Sequence, residues 1–110
     1  MNIQIFGKSK CFDTKKAERW FKERRIKYQY IDLLKYGMSA GEFRSVKNAI
    51  GFDRLLDENA PGAEDVKYLA YAEDREEKLL ENQKLIRTPV VRNGKEATVG
   101  YAPEVWAAWK

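Results

Sequence analysis

The fold of this chain is decided by a stretch near its start, Ile3-Gln4-Ile5-Phe6-Gly7-Lys8-Ser9-Lys10-Cys11-Phe12-Asp13-Thr14-Lys15-Lys16-Ala17. The alternation of apolar side chains at its beginning predicts a short strand over 2–6. Over about 13–25 the apolar residues recur at helical spacing, which predicts an amphipathic helix. Cys11 lies between these two elements, at the turn that leads from the strand into the helix.

Cys11 is the only cysteine in the chain. At a turn that opens a helix, free backbone N–H groups and the helix dipole stabilise an anion. Lys8, Lys10, Lys15 and Lys16 add cations within five residues. Both effects lower the pKa of a thiol, and the thiolate is the nucleophilic form of cysteine. The pattern predicts a reactive thiol; the alternative interpretation is a small buried apolar residue.

Length and composition predict one globular domain, 1–110, since the chain has 110 residues of which 44% are hydrophobic. The chain has no histidine, which excludes a Cys–His nucleophile pair and any histidine-based metal site. The acidic run 73–77 spreads its carboxylates around a helix, so no metal site and no bound cofactor are expected. A single cysteine excludes an internal disulfide and suits a reducing compartment. Without a signal-peptide pattern or a long apolar run, we expect a cytoplasmic protein.

Positive charge is concentrated at the start of the chain. Residues 1–27 hold nine Lys and Arg against three Asp and Glu, although the net charge of the whole chain is only +4. These basic residues surround a helix that already carries an apolar stripe. They form no compact stripe with interleaved aromatic residues, which argues against a nucleic-acid interface. A local anion site or a solvated helix face explains them better.

The order of elements predicts a mixed α/β fold. Apolar and aromatic residues over 28–32 predict a second strand, which makes the first 32 residues a β-α-β unit with parallel strands. The middle, roughly 36–83, is predicted to be helical, with a capping box at Ser39–Glu42. Two strands over 89–92 and 96–99, joined by a two-residue turn, then predict a hairpin before a last helix.

Four motifs resemble those of the ArsC-like family, which includes glutaredoxin-coupled arsenate reductases and the Spx transcription regulators. They are Cys11–Phe21, Tyr30–Leu33 with Gly37–Ser39, Leu85–Val91, and Val99–Tyr101. The resemblance runs over nearly the whole chain. It implies a thioredoxin-like fold: a four-stranded mixed sheet with helices on its faces and an all-helical insertion at about 36–83.

Three positions depart from the arsenate reductases of that family, which hold the oxyanion with three arginines around the cysteine. Asp57, Thr88 and Ala102 stand where the resemblance places those arginines. A carboxylate at such a position would repel arsenate. We therefore do not expect arsenate reduction. The alternative, which we do not favour, is a degenerate arsenate reductase in which Arg87 and Arg92 replace the lost arginines.

The resemblance instead implies a monothiol, glutaredoxin-like oxidoreductase. Its assigned site residues are Cys11 as the nucleophile and, around a bound thiol, Lys8, Lys10, Thr14, Lys15, Arg87, Thr88 and Pro89. Thr88-Pro89 matches the cis-proline position of glutaredoxins, with a trans proline at a strand edge as the alternative. Thr14 stands where Spx proteins have a second cysteine, and either caps the helix, the preferred interpretation, or donates to the Cys11 thiolate.

These assignments predict the partners. With no second cysteine, an external thiol such as glutathione must resolve the mixed disulfide. The expected partners are therefore a low-molecular-weight thiol or a protein disulfide. The alternative is a non-enzymatic, Spx-like module that binds a protein, since fold does not fix function. Tyr28, Tyr30 and Tyr36 would then form part of the binding surface, although packing against the sheet is the preferred interpretation of these tyrosines. No membrane partner is expected.

Overall fold

A four-stranded mixed sheet lies at the centre of the computed structural model, which describes residues 1–109. Its strands are β1 (Ile3–Gly7), β2 (Tyr28–Asp32), β3 (Val90–Asn93) and β4 (Glu96–Val99). They lie in the order β2-β1-β3-β4, with β1 parallel to β2 and the other two pairs antiparallel. The predicted β-α-β unit and the C-terminal hairpin are both confirmed.

Over residues 1–109, six α-helices lie around the sheet. They are α1 (Phe12–Glu23), α2 (Ala40–Ile50), α3 (Phe52–Leu55), α4 (Ala63–Lys67), α5 (Ala72–Glu81) and α6 (Pro103–Trp106), and a 3₁₀ turn covers Gln83–Leu85. Helix α1 is the crossover between the parallel strands. Helices α2 to α5 form the insertion between β2 and β3, which is helical as predicted.

The ends of α2 and α1 illustrate how local sequence sets the boundaries. The predicted capping box is present: the Ser39 hydroxyl accepts from the Glu42 N–H, and the Glu42 carboxylate accepts from the Ser39 N–H. Helix α1 begins one residue earlier than predicted, with Cys11 itself as the N-cap and no side-chain cap. The preferred interpretation of Thr14 as a helix cap is therefore wrong, because Thr14 is the third residue of the helix.

One face of the sheet packs against α1 and α6. Trp20 and Phe21 of α1 meet Trp106 of α6, with the two indole ring centroids 5.4 Å apart. The buried Trp106 Nε1 donates to the hydroxyl of Thr98 on β4 at 2.8 Å, so the indole N–H is satisfied. This layer anchors the helix that carries Cys11.

The other face of the sheet packs against the insertion. Phe6 of β1 and Val90 of β3 are fully buried there with Leu55, Leu79 and other apolar side chains of the helices. An isolated bridge joins Leu56 to Ile86, flanked by backbone hydrogen bonds from the N–H of residue 57 to the carbonyl of 85 and from that of 87 to the carbonyl of 55. This pairing fixes α3 beside the segment that leads into β3.

The three tyrosines do not behave alike. Tyr28 and Tyr30 on β2 are half-buried and pack against the α1 layer. Packing was the interpretation preferred for them from the sequence. Tyr36 is 74% exposed, so packing was the wrong interpretation for it; it follows the end of β2 in a loop.

Within residues 1–109, no helix is both long enough and apolar enough to cross a bilayer.

Candidate functional site

Cys11 lies at the N-terminal end of α1, beside the segment that precedes β3. Its backbone N–H donates to the Lys8 carbonyl at 3.0 Å, which closes the turn after β1. Its partly buried thiol donates to the Thr88 carbonyl oxygen, 3.5 Å from Sγ. The Thr88–Pro89 peptide bond is cis. The sequence therefore brings together two segments 77 residues apart, as the resemblance implied.

Thr14 lies beneath the thiol, one turn into α1. Only 1% of the residue is exposed, and Oγ1 has no hydrogen-bond partner within residues 1–109. A buried hydroxyl without a partner is unfavourable. This one is close enough to Cys11 to act as a donor to the sulfur once the thiol has ionised. Since Thr14 is not the helix cap, donation to the Cys11 thiolate is the remaining one of the two roles considered for it.

Hydrogen bonds determine how readily Cys11 ionises. Burial acts to raise the pKa of the Cys11 thiol. Donation to the ionised sulfur from the Thr14 and Thr88 side chains and from the Thr14 and Asp13 backbone N–H groups outweighs burial, so the pKa of Cys11 lies below its ordinary value. The helix start thus acts through its first free N–H groups.

Gly7, the last residue of β1, makes room for Thr14. A Cβ atom at Gly7 would overlap the Thr14 Cγ2 methyl group and lie 2.9 Å from its Oγ1 and 3.0 Å from the Tyr30 ring. The glycine is therefore required by close approach of the strand to the helix. Its small size lets Thr14 occupy the position under the sulfur.

The lysines play a different part from the one expected. Lys8 Nζ donates to the Lys84 and Ile86 carbonyls at 2.7 and 2.9 Å, and so ties the loop after β1 to the segment before β3. Burial lowers the pKa of Lys8, opposed by the nearby Asp57 carboxylate and by Cys11. Lys10 and Lys15 are exposed side chains. None of the three lines the groove at Cys11, although Lys8 is close enough to Cys11 for the two charges to interact.

A groove of about 550 Å³ opens at Cys11. Its other lining residues are Asp13, Asp53, Arg54, Asp57, Arg87, Thr88, Val99 and Gly100. Of the residues expected around a bound thiol, Arg87 and Thr88 line this groove, whereas the buried Pro89 lies behind Thr88. Arg92 lies away from it on β3, where its Nη1 donates to Gln4. Within residues 1–109, no three Cys, Asp or Glu side chains converge to hold a metal ion.

Arg54 is the functional candidate that the sequence did not reveal. It lies on α3, a four-residue helix that carries no periodic pattern of its own. Its approach to the thiol depends on the Leu56–Ile86 bridge, which joins segments 30 residues apart. The only local signal was its place just before the Leu55-Leu56 pair, three residues before Asp57, the position to which the resemblance assigns an arginine in the arsenate reductases.

The model of the ArsC family matches residues 6–109, which is nearly the whole chain, and the chain belongs to that family. It is 25% identical over 129 residues to the global transcriptional regulator Spx 2 of Oceanobacillus iheyensis, an alignment covering 100% of this chain and 94% of that protein.

Solved structures share the fold. An ArsC family related protein from Bacteroides fragilis is 20% identical with a TM-score of 0.83, covering 100% of this chain and 98% of that one. An arsenate reductase from Vibrio cholerae is 19% identical with a TM-score of 0.83, covering 96% and 94%. The predicted thioredoxin-like fold is thus confirmed.

Proposed function

We propose that this member of the ArsC family is a monothiol thiol–disulfide oxidoreductase in which Cys11 is the only redox-active residue. The observation that carries the proposal is the position of the sulfur: Cys11 is the N-cap of α1, and its Sγ lies 3.5 Å from the Thr88 carbonyl, next to the cis Thr88–Pro89 bond. Partial exposure at the mouth of a groove gives a substrate access to the thiolate. An inert structural cysteine needs neither feature.

The reaction proceeds in two exchange steps. The Cys11 thiolate attacks one sulfur of a substrate disulfide, the substrate S–S bond breaks, and the other half leaves as a thiolate. A second, external thiolate attacks the substrate sulfur of the mixed disulfide and releases Cys11 as a thiolate. One cycle thus releases one half of the substrate as a thiolate and the other half as a mixed disulfide with the external thiol. A second external thiolate, attacking that mixed disulfide at the external-thiol sulfur, releases the second half as a thiolate and leaves the two external thiols joined as their disulfide. No metal or bound cofactor enters either step.

Thr88 and Pro89 shape the edge at which the substrate sulfur arrives. The Thr88 carbonyl contacts Sγ, and its hydroxyl is one of the donors that lower the pKa of Cys11. The same residue therefore both stabilises the thiolate and borders the groove. Glutathione, another low-molecular-weight thiol or a protein disulfide is the proposed partner, in a reducing cytoplasm.

Arsenate reduction fits the groove poorly. Three carboxylates, Asp13, Asp53 and Asp57, line the space that an oxyanion would enter, against the guanidinium groups of Arg54 and Arg87. These carboxylates would repel a bound oxyanion, and an oxyanion has no positive group with which a carboxylate could pair. We expect no steady-state turnover of arsenate with glutaredoxin and glutathione.

A second candidate is a regulatory module that binds a protein. Phe12, immediately after Cys11, is 75% exposed. Tyr101, 39% exposed, lies near it, since the Lys16 ammonium is 5.9 Å from the Phe12 ring centroid and 4.3 Å from that of Tyr101. Exposed apolar side chains grouped in this way are typical of interaction surfaces. The similarity of the chain to a global transcriptional regulator supports this second candidate.

The test is glutathionylation of the folded protein. We expect oxidised glutathione to add one glutathione to wild type, reduced glutathione to remove it, and Cys11→Ser to form no adduct, all measured by intact-mass spectrometry. Circular dichroism checks that Cys11→Ser is folded. If Cys11 reacts only in denaturant, it is a structural residue and the oxidoreductase proposal fails. The module proposal then gains support if wild type and Cys11→Ser retain the same protein partners in pull-downs.

A further inference from the structure

Lys8 lies between the two chain segments that meet at the thiol. Its backbone carbonyl accepts from the Cys11 N–H at 3.0 Å, which closes the turn that carries the cysteine. Its ammonium group donates to the carbonyls of Lys84 and Ile86 at 2.7 and 2.9 Å. Ile86 precedes Thr88 by two residues, and the Thr88 carbonyl oxygen lies 3.5 Å from Sγ. One residue therefore contacts both the turn before Cys11 and the segment that leads to Thr88.

The segment 84–88 is held from two directions. From the insertion, the N–H of residue 57 donates to the carbonyl of residue 85 at 2.8 Å, beside the bridge that joins Leu56 to Ile86. From the loop after β1, the Lys8 ammonium group binds the carbonyls of residues 84 and 86. Three consecutive carbonyls thus bond alternately to Lys8 and to the insertion. Of these contacts, those of Lys8 join the segment to the turn that carries the cysteine.

The two bonds from Lys8 have a charged donor, and such bonds are about twice as strong as those between neutral groups. The ammonium group is half-buried. Burial lowers the pKa of Lys8, and the Asp57 carboxylate and Cys11 oppose that effect. Lys8 does not line the groove at Cys11. Its ammonium group is therefore directed at the backbone of the protein itself and not at a bound substrate.

We propose that Lys8 is a positioning residue for disulfide exchange at Cys11: by holding the Ile86 carbonyl, it fixes the Thr88 edge at the distance from Sγ that an incoming disulfide needs. This inference rests on the function proposed above and adds to it a residue that lies outside the groove. Lys8 acts through Thr88 and does not touch the reacting sulfur atoms. Its contribution is to hold the two sides of the site in register before the substrate arrives.

Disulfide exchange depends on this edge more than alkylation does. In exchange, the Cys11 thiolate attacks one sulfur along the axis of the S–S bond, a new S–S bond forms, and the other half leaves as a thiolate. Two sulfur atoms and their substituents must therefore align with Sγ beside Thr88. Iodoacetamide is smaller and forms a C–S bond with loss of iodide, so it requires the thiolate but little alignment. A comparison of the two reagents separates positioning from ionisation.

The experiment measures the plateau rate of each reaction at a pH where Cys11 is fully ionised, so that a change in the pKa of Cys11 does not enter. The disulfide probe is 2-hydroxyethyl disulfide, which is uncharged and is not attracted by Lys8, and mass spectrometry follows both adducts. We expect Lys8→Met, which has no donor, to lower the plateau rate with the disulfide by about three- to tenfold through partial loss of alignment. The plateau rate with iodoacetamide should change by less than about twofold.

Two further variants test whether donation to the carbonyls is the cause. Lys8→Arg keeps a charged side chain that can donate to both carbonyls, and it should recover most of the lost rate with the disulfide. Lys8→Gln keeps a shorter, uncharged donor and should give an intermediate rate; it replaces Lys8→Met if that variant does not fold. Lys47→Met is the matched control, because it removes a partly buried lysine that pairs with Glu76 at 2.9 Å in the insertion. It should leave both plateau rates at their wild-type values. Circular dichroism checks that each variant is folded.

The possible results separate the two proposals. A disulfide rate that falls in Lys8→Met and returns in Lys8→Arg, with alkylation retained, supports positioning. If the Lys8 variants slow both reagents equally or leave the disulfide rate unchanged, the positioning role is wrong but the oxidoreductase stands. The same conclusion follows if Lys8→Arg recovers nothing, or if Lys47→Met slows the disulfide as much. If wild-type Cys11 reacts with the disulfide only after denaturation, the oxidoreductase proposal itself is wrong, and the positioning role fails with it.

Discussion

Thr14→Val is the substitution with the sharpest expected consequence, because it replaces a hydroxyl by a methyl group of similar size under the Cys11 sulfur. Thr14 is 1% exposed and its hydroxyl has no partner within residues 1–109. A hydrogen bond to a charged group contributes about 1.5–3 kcal/mol. Water screens the partly exposed sulfur, so we take the lower end, about 1.5 kcal/mol. Since 1.36 kcal/mol corresponds to one pKa unit, the variant should raise the pKa of Cys11 by about one unit.

The same substitution should change stability in opposite directions at low and high pH. While Cys11 is a thiol, loss of an unsatisfied buried hydroxyl should stabilise the fold by about 1 kcal/mol. The pKa of Cys11 is lower in the folded than in the unfolded chain. Its contribution to stability is therefore fully present above the unfolded value near 8.5 and is lost as pH falls through the folded value. Because Thr14→Val removes part of that contribution, its advantage should vanish or reverse above about pH 9.

Two measurements check this reasoning. The pH dependence of iodoacetamide alkylation gives the pKa of Cys11, and urea unfolding at about pH 6 and about pH 9.5 gives the two free energies. Thr98→Val is the matched control, because the Thr98 hydroxyl has a partner: it accepts from Trp106 Nε1. That variant should destabilise the fold at both pH values and leave the alkylation midpoint of Cys11 unchanged. An alkylation midpoint within about 0.3 unit of wild type in Thr14→Val would refute the proposed hydrogen bond.

Three further substitutions test the surroundings of the thiol. Gly7→Ala should lower the free energy of unfolding, measured with urea, by about 1–3 kcal/mol, because the added methyl group overpacks against Thr14. Thr14→Ser in the same chain should recover part of that loss, and full additivity of the two changes would contradict the contact. Lys8→Met should lower the free energy of unfolding by about 1–3 kcal/mol, because two carbonyls lose their donor, and an unchanged urea midpoint would show that water replaces it. Lys10→Glu should move the alkylation midpoint of Cys11 by less than Thr14→Val does. An equal or larger shift would show that the lysines are the main cause of the lowered pKa of Cys11.

Features encoded within a few neighbouring residues were predictable from the sequence. Ser39 and Glu42 satisfy each other across one helical turn, so the start of α2 follows from spacing alone. The hairpin is similar: the predicted two-residue turn is present, one residue later than the Asn93-Gly94 pair suggested, since Gly94 and Lys95 join β3 to β4. Gly94 has a positive φ of 61° at the first position of this turn. The order of such elements, together with the position of Cys11, was enough for the fold.

Features that depend on distant segments were not predictable. Lys8 was expected near a bound anion, but its ammonium group finds two backbone carbonyls that only tertiary packing places there. Arg54 reaches the groove through pairing between the insertion and the segment before β3. Thr14 was predicted to cap α1 because threonine is a common N-cap residue. The backbone instead makes Cys11, three residues earlier, the N-cap.

The packing of the aromatic layer has a consequence for spectroscopy. All three tryptophans of the chain, Trp20, Trp106 and Trp109, lie on the face of the sheet covered by α1 and α6, and the insertion has none. Intrinsic fluorescence excited at the indole band therefore reports on the layer behind Cys11 and is silent about local opening of α2 to α5. A change in emission on oxidation of the thiol would be carried by Trp20, which shares its helix. Motion of the insertion needs a probe of its own, for which Phe43→Trp in the opposite core is the natural choice.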